Sequence, residues 1–147
     1  MKVYFDTNVL VAALKAEHPH HAGSLAALHR VRHGDLAGNI AAQSLAELYS
    51  VLTRTPFTVP IYPDEAQALI QQSIVPFFNI IDVTAESYLA AIAGCASAGW
   101  KGGRVHDAVH IQAAKQAKCD LIYTYDVAHF QSLAPEWSGR IQSPPPA

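Results

Sequence analysis

Three short β-prone runs, "KVYF" at 2–5, "FFNIIDV" at 77–83 and "DLIYTY" at 120–125, each adjoin a segment of helical periodicity. This alternation constrains the fold more than any other feature. Strands separated by helices of about 10–15 residues pair in parallel through crossover connections. None of the runs alternates cleanly between apolar and polar, as expected where helices cover both faces of a sheet. The pattern predicts the α/β class: a three-layer α/β/α sandwich on a mostly parallel central sheet. With 147 residues, half of them hydrophobic, the chain is of single-domain length and has material for one sizeable core.

Between the runs the helices are readable from their spacing and their ends. "VLVAALKA" follows Asn8, a residue suited to cap it, and "EHPH" breaks it. A second helix is predicted over 21–33, carrying Leu25, Leu28 and Val31 and stopping near Gly34. "DLAGNIAAQ" allows a short strand, interrupted by its glycine. "SLAELYSVLTR" repeats Leu45, Leu48 and Leu52 at helical spacing, with Ser44 as the expected cap. "TPFTVPIYP" holds three prolines and must be a loop. "DEAQALIQQSI" and "TAESYLAAIAGCASA" are helices opened by acidic residues or by Thr84 and Ser87, and "RVHDAVHIQAAKQAKC" is a helix after the hinge-like "GWKGG". "DVAHF" is a turn or short helix. We expect a domain over 1–134 and a C-terminal segment over 135–147 whose "SPPPA" end packs irregularly and is mobile.

The balance of 10 basic against 12 acidic residues gives a net charge of −2 and argues against a broad basic face. Two cysteines, Cys95 and Cys119, are too few and too far apart for a disulfide framework, and read as reduced thiols of a cytoplasmic protein. No secretory leader and no apolar run of about 18 residues is present, so neither export nor membrane insertion is expected.

The polar ends of the strands are where chemistry is expected, because ligands of parallel sheets bind beyond the carboxyl ends of strands. Asp6 ends the first run and Asp126 the last; each reads locally either as a cap or turn residue or as a ligand. Thr7 reads equally as ligand-binding or as backbone-satisfying, and Thr124 is placed to donate to Asp126 or to bound water. Asp107 heads a stripe shared with Ile111, Ala114 and Lys118, so it needs a partner, a proton or a metal. Glu47 borders the leucine face of its helix, and Val51 rather than a basic residue stands four positions on. His106 and His110 flank Asp107, but zinc would need another ligand at sensible spacing and would leave the other acids unused. Four carboxylates on separate elements suit Mg²⁺ or Mn²⁺, and the expected reaction is hydrolysis of a phosphodiester. Lys101 and Arg104, around Gly102 and Gly103, form either a mobile basic lip over a phosphate backbone or a plain solvent loop.

"YFDTNVLVAAL", "SLAELYSVLTR", "VHDAVHIQAA" and "IYTYDVAHF", in this order, resemble the PIN-domain family and within it the VapC toxins of toxin–antitoxin pairs. The resemblance covers the chain from Met1 to about Phe130. It implies an acidic quartet at Asp6, Glu47, Asp107 and Asp126 that binds divalent metal, supported by Asn8 and Thr124, with Phe130 as a packing aromatic. It implies a Mg²⁺-dependent endoribonuclease acting on RNA, a homodimer, and a cognate antitoxin whose segment wraps the groove. Three other readings stand beside the toxin: an RNA-processing nuclease of the same fold, a metal-dependent phosphatase with a closed pocket, and an inactive RNA-binding module.

Overall fold

The computed structural model describes all 147 residues. In chain order the elements are β1 (Lys2–Phe5), α1 (Thr7–Leu14), α2 (His21–Arg32), β2 (Ala37–Ala41), α3 (Ala42–Arg54), α4 (Pro63–Ser73), β3 (Asn79–Ile81), α5 (Ala85–Ala98), α6 (Arg104–Gln116), β4 (Leu121–Tyr123) and α7 (Val127–Leu133). A 3₁₀ turn (Pro135–Arg140) and a two-residue strand, β5 (Ile141–Gln142), follow. The sheet runs β3-β2-β1-β4-β5, and every pairing is parallel. Tyr4 is in register with Asn39 on one side and Ile122 on the other, so β1 is central. The α/β/α sandwich predicted from the alternation of strands and helices is the architecture found.

β1 divides the core between its two faces. Val3 and Phe5 join Leu10, Leu28, Leu48, Leu52, Ile70, Ile74 and Phe78 from α1–α4 and the α4–β3 connection. Tyr4 points the other way, among Ile111, Ala114, Ile122 and Phe130 under α6 and α7. Phe130 is thus the packing aromatic expected of it, fully buried. α5 stacks outside α6, with Ala91 and Cys95 against Ala108 and Val109. Leu48 and Leu52 are fully buried, and burial of each contributes about 2–3 kcal/mol.

Several local expectations are corrected. Asp6, not Asn8, caps α1: it is extended (φ −67°, ψ 151°) and its Oδ1 accepts from the Thr7 N–H at 2.8 Å. Asn8 is already helical, and its side chain turns toward Asp126. Ser44 does not cap α3 either. β2 passes into α3 without a loop, so the helix starts at Ala42 and Ser44 is buried inside its first turn. Thr84 does cap α5, accepting from Ser87 N–H at 3.1 Å, and Gly99 ends that helix at φ 72°. The glycine that interrupts the second strand has a steric reason: a Cβ on Gly38 would sit 2.7 Å from the Phe78 ring and 2.8 Å from Val31 Cγ1. Beyond residue 134 the chain still contributes to the sheet, because Ile141 pairs with Ile122 and is buried. The proline run that follows has no regular structure, yet Pro144 is buried and the Pro145 carbonyl lies over Gly23 of α2.

Candidate metal centre

The strand order reverses at β1: β2 lies to one side and β4 to the other. In a parallel sheet this reversal opens a crevice beyond the strand ends. Asp6 stands there, 5% exposed, with its N–H bonded to the Tyr123 carbonyl at 2.9 Å. Glu47 reaches the same crevice from the middle of α3, Asp107 from the first turn of α6, and Asp126 from the residue before α7. All four line one cavity of about 800 Å³, together with Thr7, Asn8, His18, Ser50, Arg54 and His106. Thr124 lies behind it, fully buried. Lys101 and Arg104 do not line it: Lys101 is exposed on its loop, and the Arg104 guanidinium lies 5.5 Å from the centre of the Trp100 ring.

Each carboxylate is held differently. Asp6 accepts Thr7 N–H on Oδ1 and the Thr124 hydroxyl on Oδ2, both at 2.8 Å. Thr124 therefore donates to Asp6, while its oxygen accepts the Asp126 N–H at 3.0 Å. Glu47 Oε2 accepts the Thr7 hydroxyl at 2.8 Å and lies 2.9 Å from His110 Nε2. Gln43 donates to Glu47 Oε1 at 3.2 Å. Asp107 Oδ2 is 3.0 Å from His129 Nε2, and Asn8 donates to Asp126 Oδ2 at 3.3 Å.

Loss of water, more than mutual repulsion, sets the proton affinities of these acids. Burial pushes Asp6 up to about 6, with Asp107 adding repulsion against the pull of His110 and Thr124. Burial likewise raises Asp107, the positive pull of His110 and His129 notwithstanding. For Glu47 burial acts upward, but the hydrogen bond and charge of His110 hold it below the ordinary range. Burial disfavours the cationic form of His110, yet Glu47, Asp6 and Asp107 together raise it. Ionising Asp6 and Asp107 is costly in the chain alone, and a cation in the cavity would lower that cost.

The donor set fits a hard divalent cation in kind, since Asp6, Glu47, Asp107 and Asp126 all offer oxygen. The arrangement is open rather than closed: no three Asp, Glu, His or Cys side chains are drawn together into a ready-made ion site. Histidines instead take one oxygen each of Glu47 and Asp107. His110, Tyr4 and His129 were not assigned a part in the site from sequence. The one available signal was the i, i+3 spacing of Asp107 and His110, which places both on one side of α6.

No protein of curated function matches the chain by sequence. Solved structures do match its fold. VapC20 of Mycobacterium tuberculosis, described as a sarcin–ricin loop cleaving toxin, superposes with a TM-score of 0.68 at 15% identity, over 88% of this chain and 94% of its own. VapBC2 of Rickettsia felis, bound to a fragment of promoter DNA, gives 0.67 at 16% identity, over 97% and 98%. FitAcB of Neisseria gonorrhoeae gives 0.62 at 19% identity, over 96% of each chain. Residues 3–134 match the family model described as PIN domain, and the chain accordingly belongs to the PIN-domain family.

Proposed function

We propose that this chain is a divalent-metal-dependent endoribonuclease that hydrolyses RNA phosphodiester bonds, and that it is the toxin of a type II toxin–antitoxin pair. One observation carries the reading: four carboxylates from four separate elements line a single cavity at the reversal point of the sheet. Asp6, Glu47, Asp107 and Asp126 would hold the cation, Mg²⁺ or Mn²⁺. When bound, such an ion lowers the pKa of a water and offsets charge on phosphoryl oxygens.

The chain's own groups do the rest. Thr124 and the Thr7 N–H fix both oxygens of Asp6. Thr7 and His110 orient Glu47 from two directions. Asn8 steadies the exposed Asp126 at the cavity mouth. Arg54 is the one Lys or Arg among the lining residues, and on this reading it meets a backbone phosphate. A single well-placed guanidinium is compatible with a mildly acidic chain. Lys101 and Arg104 would then contact RNA only outside the cavity.

The toxin role, the homodimer and the antitoxin partner are supported by the sequence resemblance and by likeness in fold to VapBC2 and FitAcB. Purified protein should cleave RNA with Mg²⁺ or Mn²⁺ and not in chelator, and Asp107→Asn should abolish cleavage. Induced expression should arrest growth, and co-expression of the adjacent gene's product should relieve it. Cleavage surviving both chelation and Asp107→Asn would remove the assigned metal centre, and no cleavage of RNA with either metal would remove the nuclease assignment. Harmless induction of an active nuclease would remove the toxin role alone.

A further inference from the structure

His110 lies on α6 one turn beyond Asp107 and is 1% exposed, with both ring nitrogens engaged. The Tyr4 oxygen is 2.5 Å from Nδ1 and accepts the Ala41 N–H at 3.2 Å. Glu47 Oε2 can only accept, so Nε2 donates its proton to it at 2.9 Å, while the Tyr4 hydroxyl and Nδ1 share the other hydrogen bond. A continuous line of hydrogen bonds thus runs from the β1–β2 core to a carboxylate of the site.

Of the groups that hold Glu47, Gln43 lies on the same helix, so only Thr7 and His110 tie it to other elements. The His110 bond is the one side-chain hydrogen bond between α3 and α6, the helices that carry Glu47 and Asp107. A core histidine that merely satisfied itself would explain the contact with Tyr4. It would not explain why the opposite nitrogen is aimed at a carboxylate in the cavity.

We propose that His110, braced by Tyr4, is a positioning residue that fixes the Glu47 carboxylate and the spacing of α3 and α6 for cation binding. The inference rests on the divalent-metal reading of the quartet. Partners that orient a metal ligand typically change metal affinity about 10–100-fold when removed.

The test is Mn²⁺ binding to the full chain by titration calorimetry, comparing wild type with His110→Gln, His110→Asn and Tyr4→Phe. The glutamine amide reaches where Nε2 stands and keeps the bond to Glu47. The asparagine amide reaches only where Nδ1 stands and keeps the bond to Tyr4. His110→Asn should bind Mn²⁺ about 10–100-fold more weakly, and His110→Gln within about threefold of wild type. Tyr4→Phe preserves the volume and should fall between them. In cleavage assays the Mn²⁺ needed for half-maximal rate should rise with His110→Asn while KM for RNA stays fixed.

Equal weakening by His110→Asn and His110→Gln would overturn the proposal, since packing and not the bond to Glu47 would then matter. Wild-type affinity in folded His110→Asn would overturn it too. Should His110→Asn lose its fold, Tyr4→Phe decides: unchanged affinity overturns the positioning role. A wild-type chain that binds no Mn²⁺ overturns the metal reading and this role with it, whereas wild-type binding with unchanged variants overturns this role alone.

Discussion

Replacing Asp6 by asparagine should make the metal-free protein more stable while destroying its proposed chemistry. Burial moves the carboxyl from the ordinary 3.8 to about 6, which places about 3 kcal/mol on its ionised form in the folded chain. The folded state therefore holds a proton that the unfolded chain releases, so this group's contribution to stability falls as pH rises from about 4 through 6 and stays low above. Asp107, also raised, acts in the same direction. His110, raised as well, adds stability at low pH that is lost as pH climbs past its folded value. Glu47, lowered, acts oppositely, and only as pH falls below the ordinary carboxylate range.

An amide at position 6 keeps the bond from Thr7 N–H and donates to Thr124 Oγ1, reversing that hydrogen bond. The Thr124 proton then loses its acceptor, at a cost of about 1 kcal/mol. The net gain at pH 8 is about 2 kcal/mol, or about 4–8 °C in melting temperature for a domain of this size. At about pH 4, where wild-type Asp6 is itself largely neutral when folded, the two proteins should melt within about 2 °C of one another. The assay is scanning calorimetry in chelator at both pH values. Adding Mg²⁺ should then stabilise wild type and not the variant. An Asp6→Asn protein that melts at or below wild type at pH 8 in chelator would refute the claim that burying the ionised Asp6 carboxylate strains this site.

Other perturbations separate the parts of the structure. Thr124→Val removes the donor to Asp6 Oδ2 and the acceptor for Asp126 N–H, and should cost about 1–3 kcal/mol in urea unfolding; Thr124→Ser should restore most of it. Gly38→Ala forces a methyl against Phe78 and Val31, and should cost about 1–3 kcal/mol without altering metal binding; a neutral effect would mean that the Phe78 ring yields freely. Arg54→Ala should raise KM for RNA about tenfold with kcat little changed, as the loss of one charged phosphate contact predicts. A fall in kcat at constant KM would instead place Arg54 at the reacting phosphate.

The layout of the fold was legible because it depends on periodicity and on the punctuation of strands by polar residues. "KVYF" and "DLIYTY" announce β1 and β4 by composition alone, and the leucines of α3 announce its buried face. What escaped depends on contacts between distant segments. Asn8 and Ser44 are good caps by type, but the first residue to leave a strand takes that place: Asp6 caps α1, and α3 begins before Ser44. β5 is two residues long and exists only because β4 offers an edge, so no local pattern could announce it. The four carboxylates that line the cavity were nameable only as a set, because each alone reads equally as a cap, a turn or a solvated helix residue. His110 and Tyr4 were not nameable, since a histidine and a tyrosine on core-facing positions resemble ordinary packing until their shared hydrogen bond is visible. Lys101 and Arg104 were attractive as cations beside glycines, yet charge alone does not tell which way a loop faces.

The hydrogen bond from Thr124 to Asp6 joins residues 118 positions apart, nearly the length of the chain. In synthesis the strand that carries Asp6 precedes β4, which completes its pairing. Until both are outside the exit tunnel, Asp6 has neither Thr124 nor the Tyr123 carbonyl to hold it, and Asp107 and Asp126 are still to be delivered. On the proposed reading, a nuclease built in this order stays inert toward RNA until the last of its carboxylates has been made and β4 has paired with β1.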